Sequence, residues 1–331
     1  MAAVEAVKER TRFRQLDRRG SVPRTMAVRI WTALMIVYVV WGSTYLAIRI
    51  AIETLPPFLM AGIRFSVAGA LLFGWAIRRG DHANDAPGWD QWKAAAIAGA
   101  GLFLGGNGGV VFAESRIPSG VTALLVATLS LWMALLSWIA YGERPSRSAA
   151  IGLPLGFAGT ALLIGPVETS GIDPVGAAAC LLASLSWAAA SLYSRRAKLP
   201  ARTAVSTGMQ MLAGGAWMLL AGLATGELAS VRPATFSSAS LGALVYLIVA
   251  GSLIAFTAFA WLIRTAPTSL VATYAYVNPV VAVALGWALA GEPITPRMLV
   301  AGAIIIAAVV LIATGHRTDR AEAGPRLKRA S

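Results

Sequence analysis

Ala140-Tyr141-Gly142-Glu143-Arg144-Pro145-Ser146 and Leu289-Ala290-Gly291-Glu292-Pro293-Ile294-Thr295 stand 149 residues apart, measured from glutamate to glutamate. Each follows a long apolar run, and each puts a Gly-Glu pair ahead of a proline. At the same offset Ser119, Ala123 and Gly142 fall on Thr268, Ala272 and Gly291. Nearer the start, Trp41 and Arg49 are eight apart, as are Trp187 and Arg195, with an offset of 146. Matches held at a nearly constant offset over this length point to an internal duplication.

Outward from these pairs the chain is apolar. Of 331 residues, 57% are apolar and 13% charged, with mean hydropathy +0.68. A water-soluble domain carries about 25% charged residues, so a soluble enzyme and a disordered or fibrous chain are both excluded. Residues 1–30 and 315–331 hold 18 of the 43 charges. Between them lie charge-free runs at 30–48, 94–113, 117–142, 148–167, 174–194, 203–226, 233–263, 265–291 and 298–316. A further apolar segment, 57–77, is interrupted only by Arg64. Each is long enough to cross ~30 Å of hydrocarbon as a helix. The apolar residues are continuous rather than alternating, which excludes an outer-membrane barrel. The sequence therefore predicts an all-α integral membrane protein of ten transmembrane helices.

Basic residues set the predicted orientation. With the N-terminus cytoplasmic, inside segments hold 23 of the 28 Lys and Arg, and outside loops hold only Arg116, Arg232 and Arg297. Both termini are thus expected in the cytoplasm. The net charge of +13 reads as this bias and as a basic tail resting on anionic lipid, not as a nucleic-acid surface. About 29 polar residues precede the first apolar run, so a cleavable signal peptide is not expected. Domain boundaries follow: a cytoplasmic tail at 1–29, repeats at 30–166 and 172–314, and a C-terminal tail at 315–331. Five helices per repeat is an odd number, so the second copy must enter the membrane inverted. Glu143 then lies inside and Glu292 outside. Inverted repeats characterise secondary transporters, whose halves exchange inward- and outward-open states around a midplane site.

Several strings in these helices resemble a known family. They are Trp41-Gly42-Ser43-Thr44-Tyr45 in the first helix, Pro56-Pro57 before the second and Arg64-Phe65 within it. Pro118-Ser119-Gly120 opens the fourth and Ser186-Trp187 lies in the sixth. Tyr274-Ala275-Tyr276-Val277-Asn278-Pro279 lies in the ninth, and a Gly-Glu pair closes each half. Over residues 30–315 the chain resembles an EamA-type permease of the drug/metabolite transporter superfamily, of the ten-helix exporter branch. That resemblance implies efflux of amino acids, metabolites or toxic small molecules across the bacterial inner membrane. Export as against uptake rests on the resemblance alone.

Polar groups at membrane depth are costly and tend to face a cavity or another helix. The candidate substrate-binding set is Trp41, Ser43, Thr44, Tyr45, Asn107, Ser186, Trp187, Gln210, Tyr274, Tyr276 and Asn278. Aromatic rings with scattered hydroxyls and amides suit small amphipathic organic molecules rather than a dehydrated ion. Ser43 and Thr44 equally fit bonding to their own backbone, and Trp41 and Trp187 equally fit packing. Pro279 is the predicted hinge of the ninth helix. Arg49, Arg64 and Glu114 form a predicted gate or ion pair towards the outer side, with Glu53 as another partner for Arg64. Glu114 is also a candidate for proton coupling. Glu143 and Glu292 are expected to cap the next helix or pair with Arg144, Arg147 or Arg297. Gly101, Gly105 and Gly109, and Gly152 and Gly156, read as close helix packing.

No cofactor is expected. Cys180 is the only cysteine, and His82 and His316 lie in polar segments, so no metal site is expected. An intramembrane enzyme would need a buried histidine or midplane carboxylates. A membrane sensor or regulatory protein would need a signalling domain, and neither tail is long enough for one.

Overall fold

The computed structural model describes residues 24–79, 87–165 and 171–323. Expectations placed on residues 1–23, on His82 and on residues 324–331 fall outside these. Among the described residues the regular elements are all helical. They are α1 (Arg24–Ala51), α2 (Pro57–Arg78), α3 (Trp89–Glu114), α4 (Ser119–Tyr141), α5 (Arg147–Ile164), α6 (Pro174–Arg196) and α7 (Thr203–Ala224). A short turn, Glu227–Ser230, precedes α8, which runs through Ser238–Tyr246, Leu247–Ile254 and Ala255–Thr265. Then come α9, in two pieces (Thr268–Val271 and Tyr274–Ala290), and α10 (Pro296–Ala323). Among the described residues eight segments are long and apolar enough to cross a membrane: α1 to α6, α8 and the first part of α10. The Tyr274–Ala290 piece of α9 is apolar but shorter.

Local chemistry sets the helix ends. Asp173 accepts from the Val175 and Gly176 amides at 2.7 and 3.4 Å to start α6, with Pro174 at the first helical position. Ser146 and Ser237 cap α5 and α8 through the Ala149 and Ser240 amides. Gly142 and Gly291 end α4 and α9 in the left-handed region, at φ +67° and +65°. After each the glutamate amide bonds back, Glu143 to the Ser137 carbonyl at 3.3 Å and Glu292 to the Gly286 carbonyl at 3.0 Å. Both are left-handed glycine closures of a helix end, and Ser137 and Gly286 are again 149 apart.

The i→i+5 register is used twice. Ala100–Gly108 in α3 and Leu247–Ile254 in α8 are π-helical, about one repeat offset apart. Each π segment is met by another helix. On α3, a Cβ at Gly101, Gly105 or Gly109 would stand 2.5, 2.1 and 2.7 Å from Ala190, Ser186 and Ala183 of α6. This is the close packing expected of that stripe. Gly152 and Gly156 of α5 lie against Ala308 of α10 in the same way, at 2.9 and 3.1 Å. Gly69 of α2 and Gly208 of α7 bring those two helices together, and a Cβ at Gly69 would stand 3.1 Å from the Gly208 carbonyl.

Burial divides the two ends of the molecule. One end gathers the close of α1, α3, α7 and α9 with the starts of α2, α4, α6, α8 and α10. There a single core joins Ala51, Leu55, Met60, Val111, Ile117, Leu124, Ala177 and Met298. Cross-links hold it. Ser240 Oγ donates to the Ile50 carbonyl at 2.8 Å, and Arg116 pairs with Asp173 at 3.0 Å. At the opposite end the buried residues fall into three separate clusters. The first joins Ile30, Leu34 and Tyr38 of α1 with Leu262 and Val271. The second joins Leu131 of α4 with Leu153 and Ala308 of α5 and α10. The third joins Ala76, Ala95 and Met209 of α2, α3 and α7. The united end carries Glu292 and the divided end carries Glu143.

Candidate functional site

Trp41 sits at the junction of α1 with α8 and α9. Its indole N–H donates to the Gly251 carbonyl, inside the π segment of α8, at 3.1 Å. Its ring lies 4.9 Å from Phe259 and 5.4 Å, edge-on, from Tyr274, and those two rings are 5.3 Å apart. Three mutually tilted rings form an aromatic corner in the preferred edge-to-face geometry. One turn along α9 from Tyr274, Asn278 is 8% exposed, and its Oδ1 has no hydrogen-bond partner among the described residues. Close approach of the two helices follows from Gly42, where a Cβ would stand 2.6 Å from Val281 and 3.2 Å from the Asn278 carbonyl. Pro279 is buried within α9.

Other predicted site residues have local partners. Thr44 donates to the Trp41 carbonyl at 2.6 Å. Ser43 bonds the Val40 carbonyl at 2.9 Å and the Tyr246 hydroxyl at 2.7 Å. Tyr45 packs on the main core. Asn107 donates to the Leu102 carbonyl at 3.2 Å, within its own π segment. Ser186 donates to the Gly101 carbonyl at 2.9 Å, and a Cβ at Gly106 would stand 3.3 Å from Trp187. Gln210 bonds Ser206 at 3.0 Å. Tyr276 packs against the main core. The structure thus brings Trp41, Tyr274 and Asn278 together, while Asn107, Ser186, Trp187 and Gln210 belong to the α3–α6–α7 side. Phe259, Tyr246, Tyr38 and Thr273, the last two joined by their hydroxyls, were not singled out in the sequence. Only their place in charge-free runs hinted at them.

The predicted charged gate is arranged differently from a simple ion pair. Among the described residues the salt bridges are Lys93–Asp90 and Arg116–Asp173. Arg64, 6% exposed, donates from Nε to Ser252 Oγ at 3.0 Å, and its guanidinium lies 4.5 Å over the Phe65 ring. Arg49 donates to the Glu114 backbone carbonyl at 2.7 Å. The Glu114 carboxylate is fully buried, and neither oxygen has a hydrogen-bond partner among the described residues. Arg64 is thus held by a hydroxyl and a ring, and among the described residues it makes no salt bridge to Glu114 or to the exposed Glu53.

Two other glutamates hold helix starts from a distance. Pro118 and Pro56 stand at the N-cap positions of α4 and α2 and carry no acceptor side chain. Glu292 supplies one to α4, accepting from the Ser119 and Gly120 amides at 2.7 and 3.0 Å. Glu227 does the same for α2, accepting from Phe58 and Leu59 at 3.1 and 2.9 Å. The sequence led us to expect Glu292 to cap the following helix or pair with Arg297. Instead it reaches across to the first half of the chain. Just outside it, a recess of about 660 Å³ is lined by Arg49, Glu53, Arg116 and Glu292.

Known proteins align with this architecture. The EamA-like transporter family matches the chain twice, over residues 29–165 and 174–314. The chain is 37% identical over 305 residues to the uncharacterized inner membrane transporter YedA of Escherichia coli strain K12, covering 92% of this chain and 93% of that one. It is 26% identical to the uncharacterized transporter YvbV of Bacillus subtilis, over 88% and 94% of the two chains. It is 27% identical to protein PecM of Dickeya dadantii, over 82% and 88%. A solved crystal structure 22% identical in sequence superposes with a TM-score of 0.58 over 87% of this chain and 96% of that one, a likeness of fold. With two family matches spanning nearly all of the helices, the chain belongs to the EamA-like transporter family.

Proposed function

We propose that the protein is a secondary transporter exporting small organic metabolites, amino acids or toxic compounds across a bacterial inner membrane by alternating access. In this reading ten helices cross the bilayer as two oppositely threaded five-helix halves, with both termini cytoplasmic. The pattern of partners supports it. α1 meets α8 and α9, while α6 meets α3 and α4. α2 meets α7, and α5 meets α10. Exchange of α1–α5 with α6–α10 maps this set onto itself, as a pseudo-two-fold between halves requires. The membrane in which the E. coli relative is named, and the basic residues at the Glu143 end, support the compartment and the orientation.

The observation that carries the reading is the aromatic corner of Trp41, Phe259 and Tyr274 beside the unpartnered Asn278 amide oxygen. It lies where the first half meets the second, so a molecule seated there touches both moving parts. Ring faces suit an apolar or cationic body, and the amide accepts one hydrogen bond from it. Glu114, buried and unpartnered, is the proposed proton acceptor if flux is coupled to protons. The groups facing it are Tyr45, Arg49, Arg64, Cys180 and Glu292.

Purified protein in liposomes, screened for counterflow of amino acids, polyamines and aromatic cations, tests the proposal. Flux of at least one class is expected, lost in Tyr274→Ala and Asn278→Ala. Undiminished flux in both variants would remove this corner from the path. Proton-dependent flux unchanged in Glu114→Gln would remove Glu114 from coupling.

A further inference from the structure

Glu143 and Glu292 occupy equivalent places in the two halves. Each follows a glycine at φ +67° or +65°, and each amide closes the same backward bond. Their carboxylates are used differently. Glu292 accepts from two amides at the start of α4, at 2.7 and 3.0 Å. Glu143 is exposed, and its carboxylate makes no hydrogen bond among the described residues. The target that Glu292 grips has its own equivalent: Pro118-Ser119-Gly120 falls, at an offset of 149, on Pro267-Thr268-Ser269 at the start of α9. There too a proline precedes the first helical residues and offers no side-chain acceptor.

The state of each end agrees with the state of its glutamate. Where Glu292 is engaged, one core unites the helices. Where Glu143 is free, the core is split, and α1, α8 and α9 form a cluster apart from α4, α5 and α10. Glu143 belongs to the second group and its target to the first, so the gap between them is the one Glu143 would have to close.

We propose that the two Gly-Glu pairs are alternate latches. Glu292 on the Ser119 and Gly120 amides locks the Glu292 end, and Glu143 on the Thr268 and Ser269 amides locks the Glu143 end in the opposite state. The inference rests on the alternating-access reading and adds which groups hold each state. A carboxylate accepting from two amides in the first turn of a helix is a charge-assisted contact. Two such contacts of equal chemistry, made in turn, keep the two states near balance, which a carrier needs.

The test uses the full-length protein in nanodiscs, with Cys180→Ala as background and paired spin labels read by electron–electron distance measurement. Labels at Val28 and Ile151 span the Glu143 end, and labels at Ser115 and Leu289 span the Glu292 end. All four positions are exposed. Glu292→Gln should move the population towards a wide Ser115–Leu289 and a narrow Val28–Ile151 distribution, by about tenfold in the ratio of states. Ser119→Pro should do the same, since it deletes one of the two amide donors at a position where proline suits a helix. Glu143→Gln and Thr268→Pro should shift the population the other way. Distributions in Glu292→Gln and Ser119→Pro that match the parent, or shifts of the same sign for the two glutamates, would overturn the latches. Counterflow by the parent protein, measured alongside, tests the transport reading separately. Thermal unfolding of each variant separates a biased carrier from a misfolded one.

Discussion

Ser252→Ala is the substitution whose cost the structure fixes best. Arg64 is 6% exposed and Ser252 2% exposed, and the Nε–Oγ bond between them is 3.0 Å long. Removing the hydroxyl leaves a charged donor buried without that acceptor. A hydrogen bond to a charged group contributes about 1.5–3 kcal/mol. The Phe65 ring, 4.5 Å from the guanidinium, is untouched and offsets none of the loss. A destabilisation of about 2 kcal/mol is therefore expected. In an Arg64→Met background the same serine has no charge to serve, and its removal should cost under about 0.5 kcal/mol. The coupling between the two sites is then about 1.5 kcal/mol. Reversible unfolding in mixed detergent and dodecyl sulfate micelles, followed by tryptophan fluorescence, gives all four corners of the cycle. A coupling indistinguishable from zero would refute the reasoning that Ser252 is what makes a buried arginine tolerable here.

Two further outcomes follow from other contacts. Trp41→Phe deletes the indole bond to the Gly251 carbonyl while keeping a ring against Phe259 and Tyr274. Trp41→Ala deletes both, so substrate KM in liposome flux should rise in the order wild type, phenylalanine, alanine. The Arg116 hydrogen bond, aided by the Val175 amide, holds the Asp173 carboxyl below its usual value. A lowered value in the folded state means that this stabilisation is complete above the ordinary carboxylate range and is lost as pH falls through the lowered value. Arg116→Ala should therefore lower the unfolding temperature at pH 7, and the difference should shrink in acid and in high salt.

The charge-free runs were legible because the bilayer penalises charge so heavily that helix positions are written in composition alone. Every helix from α1 to α10 except α2, which carries Arg64, lies largely within one of them. The glycine stripes were legible for a related reason, since only a missing Cβ lets Ala190, Ser186 and Ala183 of α6 pack against Gly101, Gly105 and Gly109. The site was half legible. Tyr274 and Asn278 share a face by simple spacing, but Phe259 reaches the same corner only because α8 turns through a π segment, which shifts the side-chain register and leaves no compositional mark. The partner of Arg64 was misplaced for a different reason. Depth arguments rank candidates by charge, and a serine at the same depth satisfies the same donor without one. Glu292 was likewise assigned to its neighbours in sequence, because nothing local announces that Pro118, far up the chain, leaves amides open.

The paired π segments connect these points. In a π turn the carbonyls no longer line up with the regular ladder, and at membrane depth each freed group needs a partner. In α8 the Gly251 carbonyl takes the Trp41 indole N–H from α1, and in α3 the Gly101 carbonyl takes the Ser186 hydroxyl from α6. Trp41 and Trp187 are repeat equivalents, and Ser186 is the residue beside the second of them. Each half thus supplies, from its first helix, the donor that the other half's third helix requires. Separating the halves at mid-depth would remove both of these donors at once. In the alternating-access reading, this makes mid-depth the place where the halves stay joined and leaves motion to the ends, where the contacts are a carboxylate on two amides at one end and three unjoined clusters at the other.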